Sequence, residues 1–216
     1  MASRIRTWIR LTIGLVFVWA LNAPVSAARF VPGDVILTFV HQSESNAALL
    51  QARRSNPVDL RSLTMVVSRL QAHAHVPLKP KRILSGTQLL LSIDQANLTD
   101  QLVRTLRTRA NVETVTVLKD QNRVASSSMV RVVFAPGSPE SEILKQKPPE
   151  DAASALTRLL SDLEATLRVP LQTDAADHST LELAIDLNKL TTIVIERLQS
   201  TRDVESAQPN YIMTIQ

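Results

Sequence analysis

The chain has 216 residues, 44% of them hydrophobic and 20% charged, with four glycines and no cysteine. That is enough apolar material for one large domain or two small ones, held by packed cores without disulfides or thiolate metal sites. The net charge is +4 and aromatic residues make up 3%; Lys and Arg are spread out, so no basic, base-stacking surface of the kind that binds nucleic acid is expected.

The first 27 residues read as a signal peptide. Arg4, Arg6 and Arg10 supply a positive start, residues 11–21 an apolar run, and Val25-Ser26-Ala27 a small-residue cleavage site. The run is too short for a hydrocarbon core that needs roughly 20 apolar residues. The expected product is therefore exported, periplasmic or extracellular, begins near Ala28 and has no membrane anchor once the signal is removed. Without the three signal arginines its charge falls to about +1 by the same counting.

The rest of the chain is one unit written twice. Leu89-Leu-Leu-Ser-Ile-Asp94 aligns with Leu181-Glu-Leu-Ala-Ile-Asp186, and the match continues through Leu98-Thr99 with Leu190-Thr191, Leu106 with Leu198, and Val112-Glu113 with Val204-Glu205. Upstream, Leu70, Val76, Pro77 and Leu78 match Leu163, Val169, Pro170 and Leu171, and Phe39 pairs with Phe134. Two repeats are too few for a solenoid, so each is expected to be a domain: residues 28–118 and 129–216, joined by a polar linker at 119–128.

In chain order, the first unit opens with an alternating strand at 34–40. A helix is expected over 60–76, stopped by Pro77, then a hairpin of strands at 82–84 and 88–93 turning through Ser85-Gly86-Thr87. Asn97 is expected to cap a second helix bearing Leu98, Leu102, Val103 and Leu106 on one face. A β-branched strand at 112–118 closes the unit. The second unit repeats this with a strand at 130–134, a helix at 151–169, strands near Leu171 and at 181–185, a helix at 189–200 and a strand at 204–215. The order βαββαβ predicts an α+β fold of two tandem ferredoxin-like domains with antiparallel sheets. Long stretches at 42–59 and 136–147 follow the first strand of each unit, the first with room for a short helix at 47–53.

No catalytic constellation emerges. The four histidines are His41, His73, His75 and His178, and a His-x-His pair on a helix does not converge on one metal ion. Phosphate-loop, zinc-protease, nucleophile-elbow and paired-cysteine motifs are absent from the sequence. The expectation is a protein that is not an enzyme and needs no metal or cofactor.

Two stretches carry a resemblance. Phe30-Val-Pro-Gly-Asp-Val-Ile-Leu-Thr-Phe39 is similar to the opening strand of subtilisin-family propeptides, and Asp203-Val-Glu205 with Pro209-Asn-Tyr-Ile212 is similar to their closing strand. The chain resembles such a propeptide in tandem, without the protease: Asp-Ser/Thr-Gly, His-Gly-Thr-His and Gly-Thr-Ser-Met, the family's triad motifs, do not occur. The first unit ends without Pro-Asn-Tyr, and its role is expected to be support.

The resemblance implies a partner, a subtilisin-like serine protease, with the chain acting as its inhibitor or folding chaperone. A protease cleft binds substrate as an extended strand, so a strand held by a rigid sheet can enter it by strand addition. The residues expected to bind are Tyr211, Ile212, Met213, Thr214, Ile215 and Gln216, with Gln216 nearest the catalytic serine, Met213 in an apolar pocket, and support from the open sheet face of the second unit. The alternative is a structural or adaptor module of the cell envelope that binds another protein through the open sheet face.

Overall fold

Val35, Leu37 and Phe39 alternate along strand β1 (Phe30–Phe39) and are fully buried, as a strand covered on one face requires. This computed structural model describes residues 30–55, 58–118, 129–145, 149–177 and 179–212; the expected signal at 1–27 and linker at 119–128 lie outside them. After β1 come α1 (Glu44–Arg54), a 3-10 turn (Leu60–Leu63), α2 (Thr64–Ala74), β2 (Leu78–Ile83), β3 (Gln88–Ile93), α3 (Gln95–Arg107) and β4 (Val112–Leu118). The second half gives β5 (Met129–Phe134), α4 (Pro139–Lys145), α5 (Pro149–Leu167), β6 (Leu171–Asp177), β7 (Thr180–Ile185), α6 (Leu187–Gln199) and β8 (Val204–Tyr211). Phe30–Asn210 forms one compact unit.

The fold is α+β, with two four-stranded antiparallel sheets in the strand order of the ferredoxin-like fold. What the repeat does not anticipate is which strands share a sheet. One sheet has the order β2-β3-β1-β8 and the other β4-β5-β7-β6. The closing strand of each repeat therefore sits in the other repeat's sheet. Val40 N–H donates to the Asp203 carbonyl at 2.9 Å and Ala135 N–H to the Asn111 carbonyl at 2.9 Å, the same bond made twice across the exchange. β4 pairs antiparallel with β5 from Val112 opposite Phe134 to Leu118 opposite Met129.

The helices move with their strands. α6 packs on β1 and against α2, and α3 packs on β4. The Arg197 guanidinium donates to the Ala74 carbonyl at 2.7 Å, tying α6 to the end of α2. Arg109, just past α3, reaches Asp162 at 3.3 Å and Thr166 at 3.0 Å on α5. The two sheets thus cut across the repeats at 28–118 and 129–216. Residues 95–186 supply all of the β4-β5-β7-β6 sheet as one continuous block, and residues 30–94 and 187–211 supply the other sheet in two pieces.

The crossover points are two aspartates. Asp94 and Asp186 each follow a strand directly and cap the next helix, accepting from Asn97 N at 3.3 Å and Lys189 N at 3.0 Å. Asp94, not Asn97, is therefore the cap of α3, because the helix starts three residues earlier than the apolar spacing suggests. Each aspartate also donates its own N–H to a proline carbonyl, Pro77 for Asp94 (2.9 Å) and Pro170 for Asp186 (3.0 Å). α3 buries Leu98, Leu102, Val103 and Leu106, and α6 buries Leu190, Val194, Ile195 and Leu198, an i, i+4 stripe in each case.

Other boundaries shift for local reasons. The expected helix at 60–76 is split: Asp59 caps a tight turn at Leu60–Leu63 by accepting from Arg61 N at 2.9 Å, and α2 starts at Thr64. His75 ends it in the left-handed conformation, φ 56°. β2 starts at Leu78, earlier than expected, with a bulge between Pro80 and Arg82. The long stretch after each first strand holds a short helix with the same start: Asn46 N–H donates to the Ser43 hydroxyl and Ser141 N–H to the Ser138 hydroxyl, both at 3.1 Å.

These short helices specify the exchange. Ser45 on α1 donates to the Asp203 carboxylate at 2.7 Å, whereas Asn111, the repeat equivalent of Asp203, donates to Glu140 on α4 at 3.1 and 3.2 Å. Carboxylate and neutral partner are reversed between the two sites, so an unexchanged pairing would set Asp203 against Glu140. Asn111→Asp creates that repulsion in place. It is expected to cost about 1.5–3 kcal/mol, the scale of a hydrogen bond to a charged group, read as a lower denaturant midpoint with an unchanged slope.

Gly33 adds a second link. It lies at φ 86°, and its N–H donates at 2.8 Å to the hydroxyl of Thr191, which is fully buried on α6. Gly33→Ala forces a Cβ into the left-handed region at roughly 1–2 kcal/mol. Thermal unfolding is expected to show a correspondingly lower midpoint.

Candidate functional site

β8 is prepared by the turn that follows α6. Val204 N–H donates to the Thr201 carbonyl at 3.0 Å, and the Gln199 side chain donates to the Ala207 carbonyl at 2.9 Å. Val204 and Ala207 are buried in the core, while Glu205, Ser206 and Gln208 are exposed. Because β8 ends the order β2-β3-β1-β8, one of its backbone edges is paired with β1 and the other has no strand beside it among the described residues. An open edge is a template for strand addition. Pro209 interrupts it by lacking an N–H.

The two stretches singled out in the sequence meet here. Asp34, in the opening stretch, is 5% exposed. Its carboxylate accepts from Lys81 Nζ at 2.9 and 3.0 Å and from Asn210 Nδ2, in the closing stretch, at 3.2 Å. A buried carboxylate is tolerated when it is paired and hydrogen-bonded in this way. Lys81 comes from β2, so the contact joins three of the four strands of the sheet across 176 residues of sequence.

Of the expected binding residues, Tyr211 closes β8 with half its surface exposed, and Ile212 follows it, 53% exposed. Met213, Thr214, Ile215 and Gln216 lie outside the described residues.

No protein-family model, curated protein or solved structure matches the chain. The site is therefore read from its own geometry. Among the described residues no three His, Cys, Asp or Glu side chains gather as metal ligands, and no helix is long and apolar enough to cross a membrane. His73 lies on α2 and His75 in its cap; His178 is outside the described residues. A cavity of about 320 Å³ beside the start of β8 is lined by Ser45, Arg69, His73, Arg202 and Asp203, among others. Two of its charges are already paired, Asp203 with Ser45 and Arg69 with Glu44.

Sequence reasoning placed the supporting sheet face on the second unit. The topology places β8 elsewhere: it borders β1, in a sheet otherwise built from β1, β2 and β3 of the first half. The repeat could not disclose it, because β4 and β8 share their first apolar positions, Val112 and Val115 against Val204 and Ala207.

Proposed function

We propose that this is an exported, non-enzymatic protein that binds a subtilisin-like serine protease, as inhibitor or folding chaperone, through the strand ending in Tyr211 and Ile212 and the residues after it. The observation that carries the reading is the hydrogen bond from Asn210 to Asp34. The opening and closing stretches that resemble a propeptide are far apart in sequence, yet they belong to one sheet. That sheet and its helices supply one complete βαββαβ set, β1, α2, β2, β3, α6 and β8, which supports the reading.

The mechanism follows from rigidity. A strand already ordered by its sheet loses less entropy on entering a cleft than a free peptide does. Backbone hydrogen bonds then supply affinity, and alternate side chains supply selectivity. The half-exposed Tyr211 and Ile212 leave apolar surface for the partner. An interface of standard size buries roughly 1,600 Å², so the sheet is proposed to contribute area beyond the strand end.

The test is inhibition of a purified subtilisin-type protease by residues 28–216, with the protein's fate followed by mass spectrometry. Sub-micromolar inhibition, better than about 8 kcal/mol of binding, with the tail intact supports an inhibitor. Recovery of active protease from its denatured state supports a chaperone. Rapid digestion across a panel of such proteases, with neither effect, would overturn both.

A further inference from the structure

The stretch 42–59, whose length the resemblance does not explain, builds one wall of a groove. Arg53 on α1, Val58 and Leu60 face Lys81, Arg82 and Ile83 on β2 around a space of about 240 Å³. Val58, Leu60 and Ile83 make an apolar floor, and the three cations make the rim. Lys81 is held by Asp34, but Arg53 and Arg82 are exposed and their guanidinium groups bond to none of the described residues. The nearby carboxylate of Asp59 is turned to the backbone, accepting from Arg61 N.

Two features separate this groove from an ordinary solvated charge cluster. Val58, in the lining, is 50% exposed, so a large apolar group stands in water in the same opening as the free guanidiniums. The corresponding helix of the other unit, α4, has the opposite character, with Glu140 bonded to Asn111 and Glu142 to Lys145. The short helix that forms this wall therefore differs in charge between the two copies of the repeat.

We propose that this groove docks an acidic segment of a partner protein, with one apolar side chain seated on Val58, Leu60 and Ile83 between carboxylates held by Arg53 and Arg82. Guanidinium groups bind carboxylates through two parallel hydrogen bonds, and the floor supplies the anchor. β2 is an edge strand, but Pro80 and the bulge beside it interrupt its outer edge, so recognition runs through side chains rather than strand addition. The lining has no aromatic side chain for stacking bases. Two free guanidiniums also fall short of the four to eight cations of lipid-binding clusters. The site lies at the opposite edge of the sheet from β8 and does not depend on the tail's function.

The experiment is fluorescence anisotropy of residues 28–216 with the labelled peptide Glu-Glu-Leu-Glu-Glu and its lysine counterpart. Binding of the acidic peptide in the range of about 10–100 µM is expected, weakening with added salt. The double variant Arg53→Glu/Arg82→Glu should lose at least about tenfold, and Val58→Ser should weaken binding without changing charge. Unfolding midpoints check that both variants stay folded. Equal binding of the lysine peptide, undiminished binding by folded variants, or no binding of the acidic peptide overturns the proposal. So does binding to phosphatidylglycerol vesicles without binding to the peptide.

Discussion

Cut at its repeat, into 28–118 and 129–216, the protein is expected to give two fragments that do not reach the native state, whereas 95–186 alone folds cooperatively. The first fragment loses α6 and β8, and with them Leu187, Leu190, Val194, Ile195, Leu198, Val204 and Ala207 from the core. At about 1.5–3 kcal/mol for each large apolar side chain, the loss is as large as a typical total stability of roughly 5–15 kcal/mol. The second fragment loses β4 and the helix that covers it. The block 95–186 keeps every strand of its sheet.

The obvious rescue is for α3 and β4 to fold back onto their own repeat. Their apolar stripe would fit, and buried Thr99 matches buried Thr191. The polar partners would not. Arg197, which holds the end of α2, is replaced at the equivalent position by Thr105, and Asn210, which holds Asp34, by Leu118. The fold-back therefore leaves a buried carboxylate short of a donor, an unfavourable state for such a group. Far-UV circular dichroism and urea unfolding of the three fragments decide the matter. A cooperative transition in 28–118 comparable to that of 95–186 would show that the repeat, not the exchange, is the folding unit.

How much of this was legible beforehand depends on range. The strands and helices follow from local pattern: the alternation in Val35, Leu37 and Phe39, the i, i+4 stripes of α3 and α6, and the prolines at 77 and 170. Pairing between units does not, because it rests on a few contacts such as Gly33 to Thr191 and Asp34 to Asn210, 158 and 176 residues apart. Short-range errors have short-range causes. Asn97 resembles a cap, but Asp94 is better placed because it leaves the strand directly, and Asp59 turns the start of the expected long helix into a separate 3-10 turn. The groove was written as two basic runs, Arg53-Arg54 and Lys79-Pro-Lys-Arg82. Only the fold brings Arg53 and Arg82 to the same opening.

The exchange also makes the tail separable from the fold, and this gives the largest functional prediction. Deleting Met213–Gln216 leaves β8, its bond to Asp34 and the buried Val204 and Ala207 in place. The unfolding midpoint should not move. If the residues after Tyr211 occupy a protease cleft by strand addition, the same deletion removes that strand's backbone hydrogen bonds and alternate side-chain contacts. Inhibition should fall at least about 100-fold, equivalent to roughly 2.7 kcal/mol of binding. Asn210→Ala makes the reciprocal control: it strips one donor from buried Asp34 and should lower stability by about 1.5–3 kcal/mol, while inhibition by the molecules that remain folded persists. Full inhibition by the shortened chain would place the binding surface on the sheet and exclude the tail from it. Loss of inhibition together with loss of folding would instead make residues 213–216 part of the fold, and the separation of tail from sheet would fail.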